Sequence, residues 1–471
     1  MKYTLSAIKP VVKKKYYLLL FSFFLPFLLS ILFWHYDWKK IISASLLVLL
    51  TNVFLCERVA ESNRFFKMHF QYTLTFYVIL NLSAFFCLAI SAYFGFELLS
   101  TYFGVALIAI LFGRKLGQVS AIFLFFVFSL AYPSHWAFLF SSLLVGYITA
   151  ELTRNVKRRI ELSLVSFFIA AIQIGLYLLL ILFGFESFRM DFLWKIAVIP
   201  PISTIFVIGL LPYIEWISRI YSNIGLLELG NLNHPVLKLL ITRAPGTYFH
   251  STVLASFAEV AAEKIGCNPI LARVGSFFHD IGKITRPDYF TENQEAENPH
   301  DRIKPQISHL VLSDHIKSGI ELAQKYRLPL LFEDMVAQHH GTRIQTFFYN
   351  KAKETDPDVK EAAFRYEGPK PSFKESGILM LADSCEAALK SMGKPDSEKA
   401  RNVIKQIVLG IFGERELDNS GLSLSDLENI EDAFVGVYLN QNRTRIPYPQ
   451  NNLWFEAPAK NRRNERKNEK E

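Results

Sequence analysis

The sequence predicts an all-α protein in two parts, a polytopic bundle of membrane helices followed by a second, all-helical domain. Three observations carry that prediction. Residues 16–213 are dominated by Leu, Phe, Ile, Ala and Val, while the remainder has ordinary globular polarity; the whole chain of 471 residues is 51% hydrophobic, with a mean hydropathy of +0.22. From His234 to about Leu439 apolar residues recur at spacings of three and four, and no convincing alternating strand interrupts them. Within that second part, one set of five histidines and two aspartates, among others there, stands in short motifs suited to ligate a divalent metal.

A helix needs roughly 20 apolar residues to cross the bilayer core. The apolar part therefore divides into about eight candidate spans, near 16–34, 41–56, 71–94, 97–112, 117–132, 135–152, 161–184 and 193–213. Charge decides between eight and seven. The loops ERVAESNRFFK, GRKLG and LTRNVKRR are basic, whereas YFGFE and FGFESFRMD are poor in net positive charge. Eight spans place every basic loop, the basic N-terminus (residues 1–15) and the second domain on the cytoplasmic side; seven would break the positive-inside rule at one end. The first span follows lysines, as a signal peptide would. No small-residue cleavage site precedes HYDWKK, so it reads as an uncleaved anchor. The span interiors hold almost no ionisable residues, which argues against transport and for anchoring or signal reception. The expected location is multi-pass in the inner or plasma membrane, with the lipid bilayer as one partner.

Residues 214–233 connect the two parts. YIEWISRIYSNIGLLELG reads as a helix leaving the bilayer, with Trp216 and Tyr221 at the interface, broken by Gly230, Asn231, Asn233 and Pro235. The helical domain spans 234–440; its segment STVLASFAEVAAEKIG closes on Gly266, a good position to end a helix. The tail, 441–471, ends in NRRNERKNEKE, a charged run without apolar residues that reads as disordered. Cys56, Cys87, Cys267 and Cys385 are isolated, which excludes a disulfide framework or a cysteine zinc site. The net charge of +8 collects in the N-terminus, the short loops and the tail. Membrane topology explains it better than a DNA or RNA partner does, and no polymeric nucleic acid is expected.

The ligand-capable residues lie in PGTYFHS (His250), FFHDIGK (His279, Asp280), LSDHIKSG (His315), AQHHGT (His339, His340) and LMLADSCEA (Asp383). Mixed imidazole and carboxylate ligands suit Mn, Fe, Zn or Co, and seven are too many for one ion and about right for two. His279 and Asp280 end the apolar run ILARVGSFF, where a buried carboxylate beside an imidazole is costly unless positive charge pairs with it. Two cations would satisfy both, with Asp280 bridging them. His339 and His340 close the helical segment LLFEDMVAQHHG and diverge by about 100° around it, so they can approach one ion from two directions. Asp383 sits in an otherwise apolar helix and needs a metal, an Arg or a cap. His315 is the weakest member, because His309 stands six residues earlier; His300 and His234 read as loop histidines. Lys283, three residues past Asp280, is positioned to meet a phosphate or protonate a leaving oxygen. Thr342 and Arg343, after the histidine pair, are further substrate-contact candidates by position.

His250, His279–Asp280 and Asp383, in that order on helices, resemble the H…HD…D signature of the HD-domain phosphohydrolases. The fuller set (PGTYFHS, ARVGSFFHDIGK, RPDYFTENQ, NPHD, QHHGT and FRYEGPKPSFKESGILMLADSCEAA) resembles one branch, the seven-transmembrane receptor HD family, whose best-known members are cyclic-di-AMP phosphodiesterases of the PgpH type. The resemblance implies one metal held by His250, His279, Asp280 and Asp383, and a second held by Asp280, His315, His339 and His340. It favours His315 over His309, as does the polar setting of Asp314 and Lys317–Ser318–Gly319 against the apolar ISHLVL around His309. It implies as cofactors two divalent transition-metal ions, Mn or Fe, with Asp280 and Lys283 as the catalytic residues and a cyclic dinucleotide as substrate. One departure stands out. Family members usually carry a large extracytoplasmic domain after the first span, and here only HYDWKK separates spans one and two. Sensory input is then left to a separate sensor protein, a homo-oligomer or the membrane part itself.

A binuclear centre suits phosphodiester hydrolysis, since two ions roughly 3.5–4 Å apart activate a water and neutralise charge on the attacked phosphate. The expected reaction is hydrolysis of cyclic di-AMP to pApA. Two rivals stand beside it. A cyclic-di-GMP phosphodiesterase of the HD-GYP kind would carry Gly-Tyr-Pro after the histidine pair, where this chain reads HHGTRIQTFFY. A non-catalytic nucleotide-binding receptor would have lost a ligand, and none is lost.

Overall fold

The structure, a computed structural model, describes residues 63–294, 297–393 and 395–442, together with Ile42 and Leu46. The expected spans near 16–34 and 41–56, the HYDWKK connection, Lys40, Cys56 and the tail beyond Asn442 lie outside the described residues.

After a short helix α1 (Arg64–Met68), capped by the Asn63 side chain, come α2 (Phe70–Phe94), α3 (Tyr102–Phe112), α4 (Arg114–Ala131), α5 (Trp136–Thr153), α6 (Arg159–Leu182) and α7 (Met190–Ser218). Five of these, all but α1 and α3, are long and apolar enough to cross a membrane. Phe167, Phe168, Leu164, Ile205 and Phe206 are exposed on the outer faces of α6 and α7, the surface that lipid would cover. The expected span 97–112 falls on a shorter apolar stretch, Phe96–Phe112, that begins with a 3₁₀ turn. Its helix, α3, has only 11 residues, about 16 Å, which is roughly half the hydrocarbon core. It packs against α2, α4, α5 and α7, and Val105, Ala106, Ile108 and Ala109 have no exposed surface. Hydropathy reads a helix buried in protein and a helix buried in lipid alike.

The two ends of the bundle differ in charge. At one end, buried Glu97 meets Arg189 at 2.9 Å and Lys195 at 3.7 Å, joining the two loops that are poor in net positive charge. At the other end the basic loops meet the connecting segment and the second domain: Arg159 pairs with Glu228 of the segment at 2.8 Å, and Arg64 donates to the Asn419 carbonyl of the domain. The connection is not one helix. Helix α7 runs on to Ser218 and stops at Arg219, whose φ of 60° is left-handed, and a separate α8 (Asn223–Leu229) starts from the Ser222 cap. The Arg327 guanidinium covers Trp216 at 4.3 Å and donates to the Trp216 and Ile217 carbonyls, so the junction holds the end of α7 against the second domain.

That domain comprises α9 (Pro235–Arg243), α10 (Pro245–Lys264), α11 (Pro269–Phe278), α12 (Pro305–Lys325), α13 (Leu330–Gln338), α14 (Thr346–Thr355), α15 (Lys374–Ser391), α16 (Ser397–Gly413) and α17 (Leu424–Gln441). Helix α10 lies against α11, α15 and α17 around fully buried Phe257, Phe278, Met380 and Phe434. No strand occurs among the described residues; one isolated bridge joins Ile344 to Arg365. Two helices run from the membrane junction to the site. Helix α11 begins at Asn268, whose side chain meets Asn223, and α13 begins beside the Leu330 N–H, which donates to the Arg219 carbonyl.

Candidate metal centre

Five helices deliver the seven expected ligands: His250 comes from α10, His279 and Asp280 from the end of α11, His315 from α12, His339 and His340 from the end of α13, and Asp383 from α15. A helix whose apolar stripe stops short of its polar terminus sets those polar residues at the edge of the core, and α11 and α13 both do so. Beyond α11 the chain turns through a 3₁₀ segment, Ile281–Thr285, that lies against α12. Gly282 makes this approach feasible, since a Cβ there would sit 1.8 Å from the His315 carbonyl oxygen and 2.6 Å from the Gly319 nitrogen. The glycine of the HDIGK motif thereby brings Asp280 and His315 together.

The ligand atoms fall into three overlapping groups, His315–His339–His340, His250–His279–Asp383 and His279–Asp280–His339, each with its atoms within 4.8 Å of one another. Asp280 faces both sides. Its Oδ1 lies 3.5 Å from Nε2 of both His315 and His339, and its Oδ2 lies 3.1 Å from His279 Nε2. Asp383 does the same, with Oδ1 3.0 Å from His250 Nε2 and Oδ2 3.9 Å from His340 Nδ1. The sequence had suggested one carboxylate between the two groups; the structure has two.

Three imidazoles are locked in one tautomer by their own helices. His279, His315 and His339 donate Nδ1–H to the carbonyls of Ser276, Leu312 and Val336, each three residues back. Their Nε2 atoms are therefore the ones turned towards the shared site. Those of His315 and His339 lie only 3.2 Å apart, aimed at each other. His279 Nε2 and Asp280 Oδ1 are buried with no hydrogen-bond partner. Converging, desolvated acceptors of this kind are costly by themselves, and a cation satisfies them all. Two ligand atoms on one ion stand about 3 Å apart when each bond is about 2.1 Å, which matches these spacings. The residues present fit divalent metal.

Electrostatics follow from the same crowding. Burial, with neighbouring His339 adding to it, pushes His315 down to about 3, and His340 is likewise driven well below its ordinary value. Burial would raise the Asp280 carboxyl, but His279 and Lys283 outweigh it and hold it well below the usual range. His250 is the opposite case: burial disfavours its charge, yet hydrogen bonds to Asp383 and Glu386 raise it to about 10.

The Lys283 ammonium sits between Asp280 Oδ2 (2.7 Å) and Glu292 Oε1 (2.8 Å), above the Phe290 ring. Arg343 reaches Ser384 at 2.9 Å and Glu414 at 3.2 Å beside Asp383. The Thr342 N–H and hydroxyl both go to Glu416, so that side chain is engaged inside the protein. His309 is buried beside Phe364 and joins none of the ligand groups; His300 Nε2 donates to the Tyr289 carbonyl, and His234 rests its ring edge on Phe278. Sequence reasoning missed Glu292, Glu386, and Tyr366, whose ring stacks on His340 at 4.4 Å. Glu386 was within reach, since it follows Asp383 by three residues and shares its helix face. Tyr366 carries no signal of that kind.

A family model described as HD domain matches residues 247–388, and a second, described as 7TM receptor with intracellular HD hydrolase, matches residues 36–222. The cyclic-di-AMP phosphodiesterase PgpH of Listeria monocytogenes is 37% identical over 317 residues, covering 65% of this chain and 44% of that protein. The Bacillus subtilis protein of the same name is 40% identical over 249 residues, covering 53% of this chain and 35% of the other. The crystal structure of the Listeria PgpH HD domain in complex with cyclic-di-AMP matches at 43% identity and TM-score 0.44, over 46% of this chain and 100% of that one. The chain thus spans less than half the length of the curated relatives it matches. In chain order, therefore, a region similar to the 7TM receptor with intracellular HD hydrolase is followed by an HD domain.

Proposed function

We propose that this protein is a membrane-anchored, binuclear-metal phosphodiesterase that hydrolyses cyclic di-AMP to the linear dinucleotide pApA. The observation that carries the reading is the convergence of buried His279 Nε2, His315 Nε2, His339 Nε2 and Asp280 Oδ1, of which His279 Nε2 and Asp280 Oδ1 have no hydrogen-bond partner. The activity named for the Listeria and Bacillus relatives supplies the substrate. His250, His279, Asp280 and Asp383 would hold one divalent ion, and Asp280, His315, His339 and His340 the other, with Mn or Fe the metals of choice for such ligands. Bound there, the two ions supply an activated water and offset charge on the attacked phosphate. Asp280 keeps its carboxylate ionised to face both positions, helped by Lys283. Arg343, partly exposed beside Asp383, brings positive charge where a dinucleotide phosphate needs it, Lys283 offsets the carboxylates of Asp280 and Glu292 within the site, and Thr342 fixes the turn through Glu416.

The domain lies on the cytoplasmic side in this reading, because Arg64 from a basic loop contacts it directly and Arg159 pairs with Glu228 of α8, which leads into it. A reporter fused after Arg159 should report the cytoplasm and one fused after Glu186 the opposite side; a cytoplasmic signal at both sites would refute the arrangement. The activity itself is tested with the full chain in detergent, Mn²⁺ and either cyclic di-AMP or cyclic di-GMP, with products separated by chromatography. Conversion of cyclic di-AMP to pApA is expected. Preference for cyclic di-GMP would favour the HD-GYP alternative, and binding without cleavage of either would leave a nucleotide receptor.

A further inference from the structure

We infer that Glu386 is a positioning residue that sets the strength of one of the two metal positions, the one built from His250, His279 and Asp383. The inference rests on the metal-centre reading above and extends it to a residue outside the ligand set.

His250 is held differently from the other ligands. His279, His315 and His339 give Nδ1–H to carbonyls of their own helices, so their tautomer comes with the helix. His340 is steadied by stacking on Tyr366. His250 instead meets Glu386 Oε2 through Nδ1 at 2.6 Å, a contact between α10 and α15. Glu386 is itself buried, its side chain 9% exposed, and that imidazole is its one hydrogen-bond and ion-pair partner among the described residues. A carboxylate withdrawn from water with no Lys or Arg beside it is a poor structural device. Its geometry suits another purpose. Asp383 and Glu386, three residues apart on one helix face, bracket the ring, with Asp383 at Nε2 (3.0 Å) and Glu386 at Nδ1. Glu386 fixes the proton on Nδ1 and aims Nε2 at the position shared with His279 and Asp383. A carboxylate acceptor also makes the opposite nitrogen a stronger donor to a cation than a carbonyl acceptor would. The two positions are therefore unequal: one has a carboxylate-backed histidine, and the other, built from His315, His339 and His340, has none.

The test uses the full chain in detergent, stripped with chelator and titrated with Mn²⁺ alone, with bound metal counted by elemental analysis after equilibrium dialysis. Wild type should take up two equivalents. Glu386→Gln keeps an acceptor but loses the charge, and it should weaken one equivalent about 10-fold while leaving the other unchanged; Glu386→Leu loses both and should weaken the same equivalent towards about 100-fold. In a His250→Ala background, Glu386→Gln should change nothing further, because the residue acts through His250. Two full-affinity equivalents in both single variants would overturn the inference while leaving the metal centre standing. So would an additive effect in the double variant, or equal loss of both equivalents with an altered circular-dichroism spectrum. A wild-type chain that binds no Mn²⁺ would overturn the metal-centre reading itself.

Discussion

Two sets of buried polar groups, one in the membrane bundle and one in the HD domain, are treated in opposite ways. In the bundle, the hydroxyls of Ser83, Ser120, Thr149 and Thr153 donate to carbonyls four residues back in their own helices. Each is satisfied locally and demands nothing of its neighbours, as an environment without water requires. In the HD domain, His279, His315 and His339 also use their own helix carbonyls, but for only one nitrogen. The second nitrogen is turned towards other helices and left for a shared partner. The first arrangement makes a scaffold, the second a site.

The contrast predicts where substitution will hurt. The largest effect is expected at Asp280, whose two oxygens face both ligand groups. Asp280→Ala should empty both metal positions together and lower cyclic-di-AMP hydrolysis by more than about 100-fold; near-normal metal content and turnover would break the comparison at its centre. Next come the two rival histidines of α12. His315→Ala should remove one metal equivalent and most of the turnover. His309→Ala, beside Phe364 and outside the ligand groups, should lower stability by about 1–3 kcal/mol while retaining two equivalents. An active His315 variant with a metal-depleted, folded His309 variant would exchange their roles.

Backbone contacts give a smaller effect that separates the regions. Gly282→Ala would drive a Cβ into the His315 carbonyl, so thermal melting should show a loss of about 1–3 kcal/mol. Gly209→Ala in α7 has nothing within 4 Å of the new Cβ and should be neutral or slightly stabilising. Equal melting shifts for the two would mean that the close approach at Gly282 is not what seats His315. The smallest effect is expected for Thr149→Val in the bundle, within about 0.5–1 kcal/mol by detergent melting, because its hydroxyl satisfies only itself. A larger loss would show that the bundle relies on its polar groups more than the scaffold reading allows.

Much of this was legible in the chain. Helix and span positions followed from period and hydropathy, since both are local properties: the expected spans 71–94, 117–132 and 161–184 match α2, α4 and α6 within about three residues at each end. The ligand types were legible as well, because a histidine pair or a His-Asp pair at the end of an apolar run has few other uses. Three features were not legible. The burial of α3 depends on which helices surround it, and hydropathy cannot distinguish protein from lipid. The break at Arg219 depends on contacts with Leu328 and Leu330, more than 100 residues away. The partnership of His250 with Glu386 spans 136 residues, and the stacking of Tyr366 on His340 needs a loop whose course no periodicity records.

The sequence alone therefore determined the class of the protein, its two-part order and which ligand-capable residues the fold brings together, because propensity, hydropathy and donor chemistry belong to residues and short windows. Only the tertiary structure decided which nitrogen of each imidazole is free, that both Asp280 and Asp383 face two ligand groups, and that Glu386 stands behind His250. Those are relations among helices, set by how α10, α11, α12, α13 and α15 pack on one core. No single segment carries them.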